Sequence, residues 1–128
     1  MDLTKLKSGT DIRGTAWGDD IQLSDETVER IALGFAAYLH KKTGVPVDEM
    51  SVCVGHDSRI SAERIKNAIV RALSSRGVRV LDCGLCSTSA MFTVCLDSDC
   101  TASIQITASH HPYDKNGLKF FTRDGGFE

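Results

Sequence analysis

Met50-Ser51-Val52-Cys53-Val54-Gly55-His56-Asp57-Ser58-Arg59 is the stretch whose reading decides the fold class. Its first half, Met50 to Val54, is short, apolar and partly β-branched, as expected of a strand buried on both faces. Its second half turns to glycine and polar residues and reads as a loop leaving the carboxyl end of that strand. A helical pattern lies on each side. Before it, Ser24 can cap a helix running to Gly44, with Asp25 and Glu26 in the first turn, where the helix dipole favours acids. Val28, Ile31, Ala32, Phe35 and Leu39 recur at helical spacing. Gly44 can take the left-handed stop, and Pro46 lies just beyond. After it, Ile65, Ala68, Ile69, Ala72 and Leu73 form the buried stripe of a second helix, ended by Arg76-Gly77. Asp57-Ser58 reads as the cap region of that helix.

Outward from this centre, Val78 to Asp82 reads as the next strand and Cys83-Gly84-Leu85-Cys86-Ser87-Thr88 as its exit loop. Ser87 or Thr88 can cap a third helix through about Leu96. Ala102 to Thr107 and Leu118 to Thr122 read as two further strands, and Leu6 to Ala16 as a surface loop leading into a first one. The order is strand, helix, strand, helix, strand, helix, strand, strand. It predicts an α/β fold: a three-layer α/β/α arrangement around a mixed, mostly parallel sheet of about four to five strands. The last strand is expected antiparallel to its neighbour, because the connection is too short for a helical crossover. In an open parallel sheet, ligands bind beyond the carboxyl ends of the strands. Three loops leave such ends: Gly55 to Arg59, Cys83 to Thr88 and Thr107 to Lys119.

The bulk properties set outer limits. A chain of 128 residues suits one domain, 1–128, with one main core. Its net charge of −2 gives no electrostatic case for nucleic acid or an anionic membrane as partner. No apolar run approaches the roughly 18 residues of a membrane span, and no apolar signal core follows the first lysines. A cytoplasmic location is the expectation. Five cysteines, an odd count, favour reduced thiols over a disulfide framework. Asp124-Gly125-Gly126-Phe127-Glu128 reads as a chain cut where a linker begins.

The chemistry-bearing stretch is Ile106-Thr107-Ala108-Ser109-His110-His111-Pro112-Tyr113-Asp114-Lys115-Asn116-Gly117-Leu118-Lys119. A Ser-His catalytic pair is poorly served by adjacent residues, which point to opposite sides of an extended segment. There is also no Gly-x-Ser-x-Gly elbow. A serine that carries a phosphoryl group fits better. It needs cations and donors, which Arg13, Arg59, Lys115, Lys119, His110 and His111 can supply. Asn116-Gly117 on its own reads as a turn signal. Cys83-Gly84-Leu85-Cys86, after a strand and at a helix start, is where a redox pair would sit, but a thioredoxin-like domain has another element order. A zinc site built on Cys83 and Cys86 lacks a tightly spaced second ligand pair.

Thr107-Ala108-Ser109-His110-His111-Pro112 followed by Asn116-Gly117-Leu118-Lys119 resembles the signature of the α-D-phosphohexomutase superfamily: Thr-Ala-Ser-His-Asn-Pro, a short spacer, then Asn-Gly-x-Lys. Ser8-Gly9-Thr10-Asp11-Ile12-Arg13-Gly14 and Gly55-His56-Asp57-Ser58-Arg59-Ile60-Ser61 look like two more of its motifs, the latter its Gly-x-Asp-Ser-Arg segment. The resemblance implies that Ser109 carries a phosphoryl group and passes it to a hexose monophosphate. A hexose 1,6-bisphosphate forms, turns around and returns its other phosphate. It implies Arg13 beside the phosphoserine, Lys119 as general acid or base and His110 as a supporting donor. Arg59, Lys115, His111 and Asn116 are the expected phosphate or substrate contacts. It also implies Mg²⁺, bound here only through the phosphate on Ser109. The family's Asp-Gly-Asp-x-Asp-Arg metal loop is not in this sequence. His111 departs from the family's asparagine. The chain is therefore expected to be domain 1 of a four-domain enzyme, inactive or nearly so without the remaining mutase domains. Two other readings are a non-catalytic binding or regulatory domain of mutase fold and a thiol redox domain using Cys83 and Cys86.

Overall fold

In a computed structural model, residues 7–8, 11–15, 21–57, 61–85, 100–107, 115–122 and 125–126 are described. Helix α1 spans Asp25–Thr43. The Ser24 hydroxyl accepts from the Thr27 N–H at 3.2 Å. At the other end Gly44 sits at φ 76°, and its N–H bonds the His40 carbonyl. An L-residue would be strained there, so glycine ends the helix. Helix α2 spans Ala62–Ser75, and the expected stripe of Ile65, Ala68, Ile69, Ala72 and Leu73 is buried. Its cap is Ser61 rather than Asp57 or Ser58, and the Ser61 side chain makes no capping bond. Arg64 bonds Asp25 at 2.7 Å and Arg71 bonds Glu29 at 2.9 Å, tying α2 to α1 at the surface.

Strands are β1 (Lys7–Ser8), β2 (Asp11–Thr15), β3 (Ser51–His56), β4 (Arg79–Leu85), β5 (Ala102–Ile106), β6 (Lys115–Thr122) and β7 (Gly125–Gly126). Their order is β1-β2-β6-β5-β3-β4, with β7 also on β6. Strand β3 pairs in parallel with both β4 and β5. Strand β6 runs antiparallel to β5, as expected, and β2 runs antiparallel to β6. The inner four strands, β4-β3-β5-β6, are thus a mostly parallel mixed sheet. Strand β2 extends it to five, and β1 and β7 add two-residue pairings.

Both described helices lie on one face, over Val52, Val54, Ala102, Ile104, Ile106, Leu118 and Phe120. The opposite face is also buried, at Cys53, Ser103, Gln105 and Phe121. A sheet buried on both faces is what a three-layer α/β/α domain requires. The expected third helix, from Ser87 or Thr88 to about Leu96, lies outside the described residues.

Two strands run further than their sequence suggests. Strand β6 begins at Lys115, so Asn116-Gly117 lies inside a strand rather than in a turn. Strand β4 continues through Cys83 to Leu85. Its register with β3 shifts between Val54 and Gly55, which face Asp82 and Gly84, so Cys83 is the extra residue of a bulge. Gly84, at φ 65°, completes the bulge, and its N–H bonds Asp82 Oδ1 at 2.9 Å.

Candidate active site

Because β3, β4 and β5 are parallel, their carboxyl ends open on one rim, where sheets of this kind bind ligands. Antiparallel β6 enters the sheet at this rim, and β2 reaches it at Thr15, opposite Lys115. The three motif segments therefore meet on adjacent strands. Position 13 lies opposite Gly117, a residue with no side chain of its own, and Asp11 lies opposite Lys119. Lys119 also pairs with Gln105 of β5 and is half-buried.

At the rim the chain is held by hydrogen bonds between distant residues. The Thr107 hydroxyl donates to Asp57 Oδ2 at 2.9 Å. The Asp57 N–H donates to the Ile106 carbonyl at 3.1 Å, and the Thr107 N–H to the Gly117 carbonyl at 2.9 Å. Asn116, fully buried, donates from Nδ2 to Ser61 Oγ at 3.0 Å. His56 Nδ1 lies 2.7 Å from the Asp57 carbonyl oxygen, which can only accept, so the proton sits on Nδ1.

The expected site residues fall into two groups. Lys119 and Asn116 are described in full; Arg13 and Lys115 are placed by strand register alone. Ser109, His110, His111 and Arg59 lie outside the described residues. Asp57, Thr107 and Ser61 are polar rim residues that lie within the sequence motifs but to which sequence reasoning gave no role in the site. The available signal was a polar side chain at a strand end or a helix start, which is too common to be informative without the pairing.

Beside the rim, Lys66 of α2 reaches Asp82 at 3.0 Å and Glu63 at 3.1 Å. The Lys66 side chain is 11% exposed and that of Asp82 48%. The hydrogen bond from Lys66 holds the Asp82 carboxyl below its ordinary value, helped by the Gly84 N–H. The same bond to Asp82, then that to Glu63, raises the Lys66 ammonium. A depressed carboxyl stabilises above the unfolded carboxylate pKa, about 3.9, and that stability is lost as pH falls through the lower folded value. A raised lysine stabilises below about 10.4 and loses this as pH rises through its higher folded value. Asp82→Asn is expected to cost about 1 kcal/mol, the scale of a half-exposed pair. Urea denaturation of both forms across pH should give a constant gap near neutrality that closes below about pH 4. A gap that persists into acid would contradict the pairing.

The thiols cluster elsewhere. Cys53 and Cys100 are buried on the face away from the helices, with Leu81 and Cys83 against them. Cys83 lies within β4, not at a helix start, and burial raises its thiol pKa. A redox pair needs the opposite shift, and Cys86 lies outside the described residues. Among the described residues, no group of three or more His, Cys, Asp or Glu could hold a metal. None of their helices is long and apolar enough to cross a membrane.

Sequence-distant polar residues joined at the rim of parallel strands lie where sheets of this architecture bind ligands. The chain belongs to the phosphoglucomutase/phosphomannomutase family: residues 4–127 match the model of its alpha/beta/alpha domain I. It is 34% identical over 120 residues to the phosphoglucosamine mutase of Exiguobacterium sibiricum and 39% identical over 118 residues to that of Helicobacter acinonychis. Each match covers 91% of this chain and 25% of the relative, so the chain spans about a quarter of the length of these curated relatives. The crystal structure of a putative phosphomannomutase from Thermus thermophilus superposes with a TM-score of 0.79 at 26% identity, covering 96% of this chain and 27% of that one. A phosphoglucomutase/phosphomannomutase family protein from Burkholderia thailandensis gives 0.71 at 25% identity, covering 87% of this chain and 24% of that one.

Proposed function

We propose that this chain is the nucleophile-bearing domain of a phosphohexomutase that interconverts hexose 1- and 6-phosphates, with glucosamine phosphates the first to assay. The observation that carries the reading is the Thr107–Asp57 hydrogen bond. It ties to one another the residues that precede the Arg59 and Ser109 motif positions, Asp57 and Thr107. The names of the relatives support the sugar class.

In this reading Ser109 Oγ holds a phosphoryl group. A hydroxyl of the sugar monophosphate attacks the phosphorus, the Ser109 Oγ–P bond breaks, and Lys119 takes the hydroxyl proton and passes it to the released Ser109 Oγ. The bisphosphorylated sugar reorients. Ser109 Oγ then attacks the other phosphate as it gives its proton to Lys119, which returns it to the leaving sugar oxygen. Arg13, Arg59, Lys115, His110 and His111 neutralise the phosphates, the main task of a protein in such transfers. Mg²⁺ would offset phosphoryl charge, held by the phosphate on Ser109 and by residues outside this chain. The described residues do not make a metal site on their own, and no step here depends on one. The 128-residue chain alone is inactive in this reading, since most sugar and metal contacts lie elsewhere.

Incubating the full-length protein with a hexose 1,6-bisphosphate and mapping its phosphate should place a single phosphoryl group on Ser109. An unmodified Ser109 in that protein would favour a non-catalytic binding domain of the same fold.

A further inference from the structure

The described residues frame the Ser109 segment at both ends. Thr107, which precedes it, is 6% exposed and bonds Asp57. Asn116, near its end, is fully buried and bonds Ser61. Asp57 and Ser61 in turn flank residues 58–60, which include Arg59. One tie therefore joins the starts of the two segments, and the other joins their ends. The backbone bonds from Asp57 to Ile106 and from Thr107 to Gly117 brace the first tie. The second is braced by the Asn116 amide itself. Its oxygen accepts from the Gly117 N–H at 2.9 Å, which turns its nitrogen toward Ser61. The Ser61 hydroxyl makes no capping bond to its own helix and accepts from Asn116 instead.

We propose that Thr107 and Asn116 are positioning residues for the mutase reaction: their bonds to Asp57 and Ser61 hold the residues that flank the Ser109 segment against those that flank the Arg59 segment. This rests on the mutase reading. It moves Asn116 from the substrate contacts to the supporting frame, because a fully buried side chain bonded to Ser61 and Gly117 is turned away from any ligand. Displacement of a reacting group by about 1 Å can cost about 10²-fold in rate, so a frame of two hydrogen bonds is enough to matter.

The test uses the full-length protein. Thr107→Val should lower kcat about tenfold with KM within about twofold, since the frame acts on the reacting geometry more than on binding. Thr107→Ser, which keeps the hydroxyl, should recover most of the rate. Asn116→Ala and Ser61→Ala should lower kcat alike, and their double variant should be no slower than the worse single, as for partners in one bond. Ser61→Ala keeps the tie testable should Asn116→Ala fail to fold. Amide hydrogen exchange gives a readout that needs no turnover. Cutting either tie should speed exchange in both segments by about fivefold, the effect of losing one closing hydrogen bond. Unchanged exchange in all variants, or a Thr107→Ser variant as slow as Thr107→Val, overturns the proposal. A wild-type protein without turnover and without phosphate on Ser109 sinks the mutase reading instead, and exchange still decides whether the frame exists.

Discussion

Alanine in place of Ser109 is expected to lower hexose phosphate isomerisation by the full-length protein roughly 10⁴-fold or more, the scale of removing a group that acts as part of a unit. In the proposed reaction the phosphoryl group is never free. It is bonded either to Ser109 or to the sugar, and alanine has no atom to receive it. His110, His111 and Lys119 can neutralise charge or move a proton, but none sits at the same point of the chain. Loss of turnover should therefore be accompanied by loss of the mapped phosphate. Activity within tenfold of wild type would end the assignment of Ser109 as the phosphoryl carrier, because a bystander serine on a working mutase is the remaining account.

The largest stability effect is expected at Phe120. This ring is 2% exposed, and its centroid lies 4.5 Å from that of Phe35 at an interplanar angle of 41°. Such tilted aromatic contacts add to the burial of area. Phe120 is also paired with Ile104, so it joins β6, β5 and α1 at one point. Phe120→Ala should cost about 3–5 kcal/mol, combining lost transfer energy with the cavity left between helix and sheet. That is a large part of the roughly 5–15 kcal/mol typical of a whole domain. The shift of the urea midpoint at unchanged slope measures it. A loss under about 1 kcal/mol would mean that α1 and the sheet close over the gap, and that the Phe35 contact adds little.

The two described helices and the parallel centre of the sheet were legible because their signals are local. Ser24, the acidic first turn and Gly44 mark α1 within a few residues of each end, and the apolar stripe of α2 needs nothing beyond its own spacing. The start of β6 was not legible. Asn-Gly is turn chemistry when it is solvated, and here a hydroxyl 55 positions away satisfies the amide. The end of β4 was missed for a related reason. A glycine at positive φ reads as a strand terminator, whereas Gly84 completes a bulge and the strand continues. The motif positions of the site could be recognised, but not their juxtaposition. Asp57 reads as a helix cap until Thr107, 50 positions away, is beside it.

The pairing of β2 with β6 joins residues near opposite ends of the chain, Asp11 with Lys119. On the ribosome, α1, β3, α2, β4 and β5 emerge in order and can begin to associate before β6 exists. Strand β2 must wait for about a hundred further residues to be made before its partner appears. Pairings so distant in sequence close slowly, because the loop entropy is lost before the contact forms. Folding during synthesis would therefore finish at the rim, with the Arg13 motif and Lys119 docking last. A nascent chain stalled before β6 would have an exposed edge on β5 and no partner for β2, and would be the stage at which this domain most needs a chaperone.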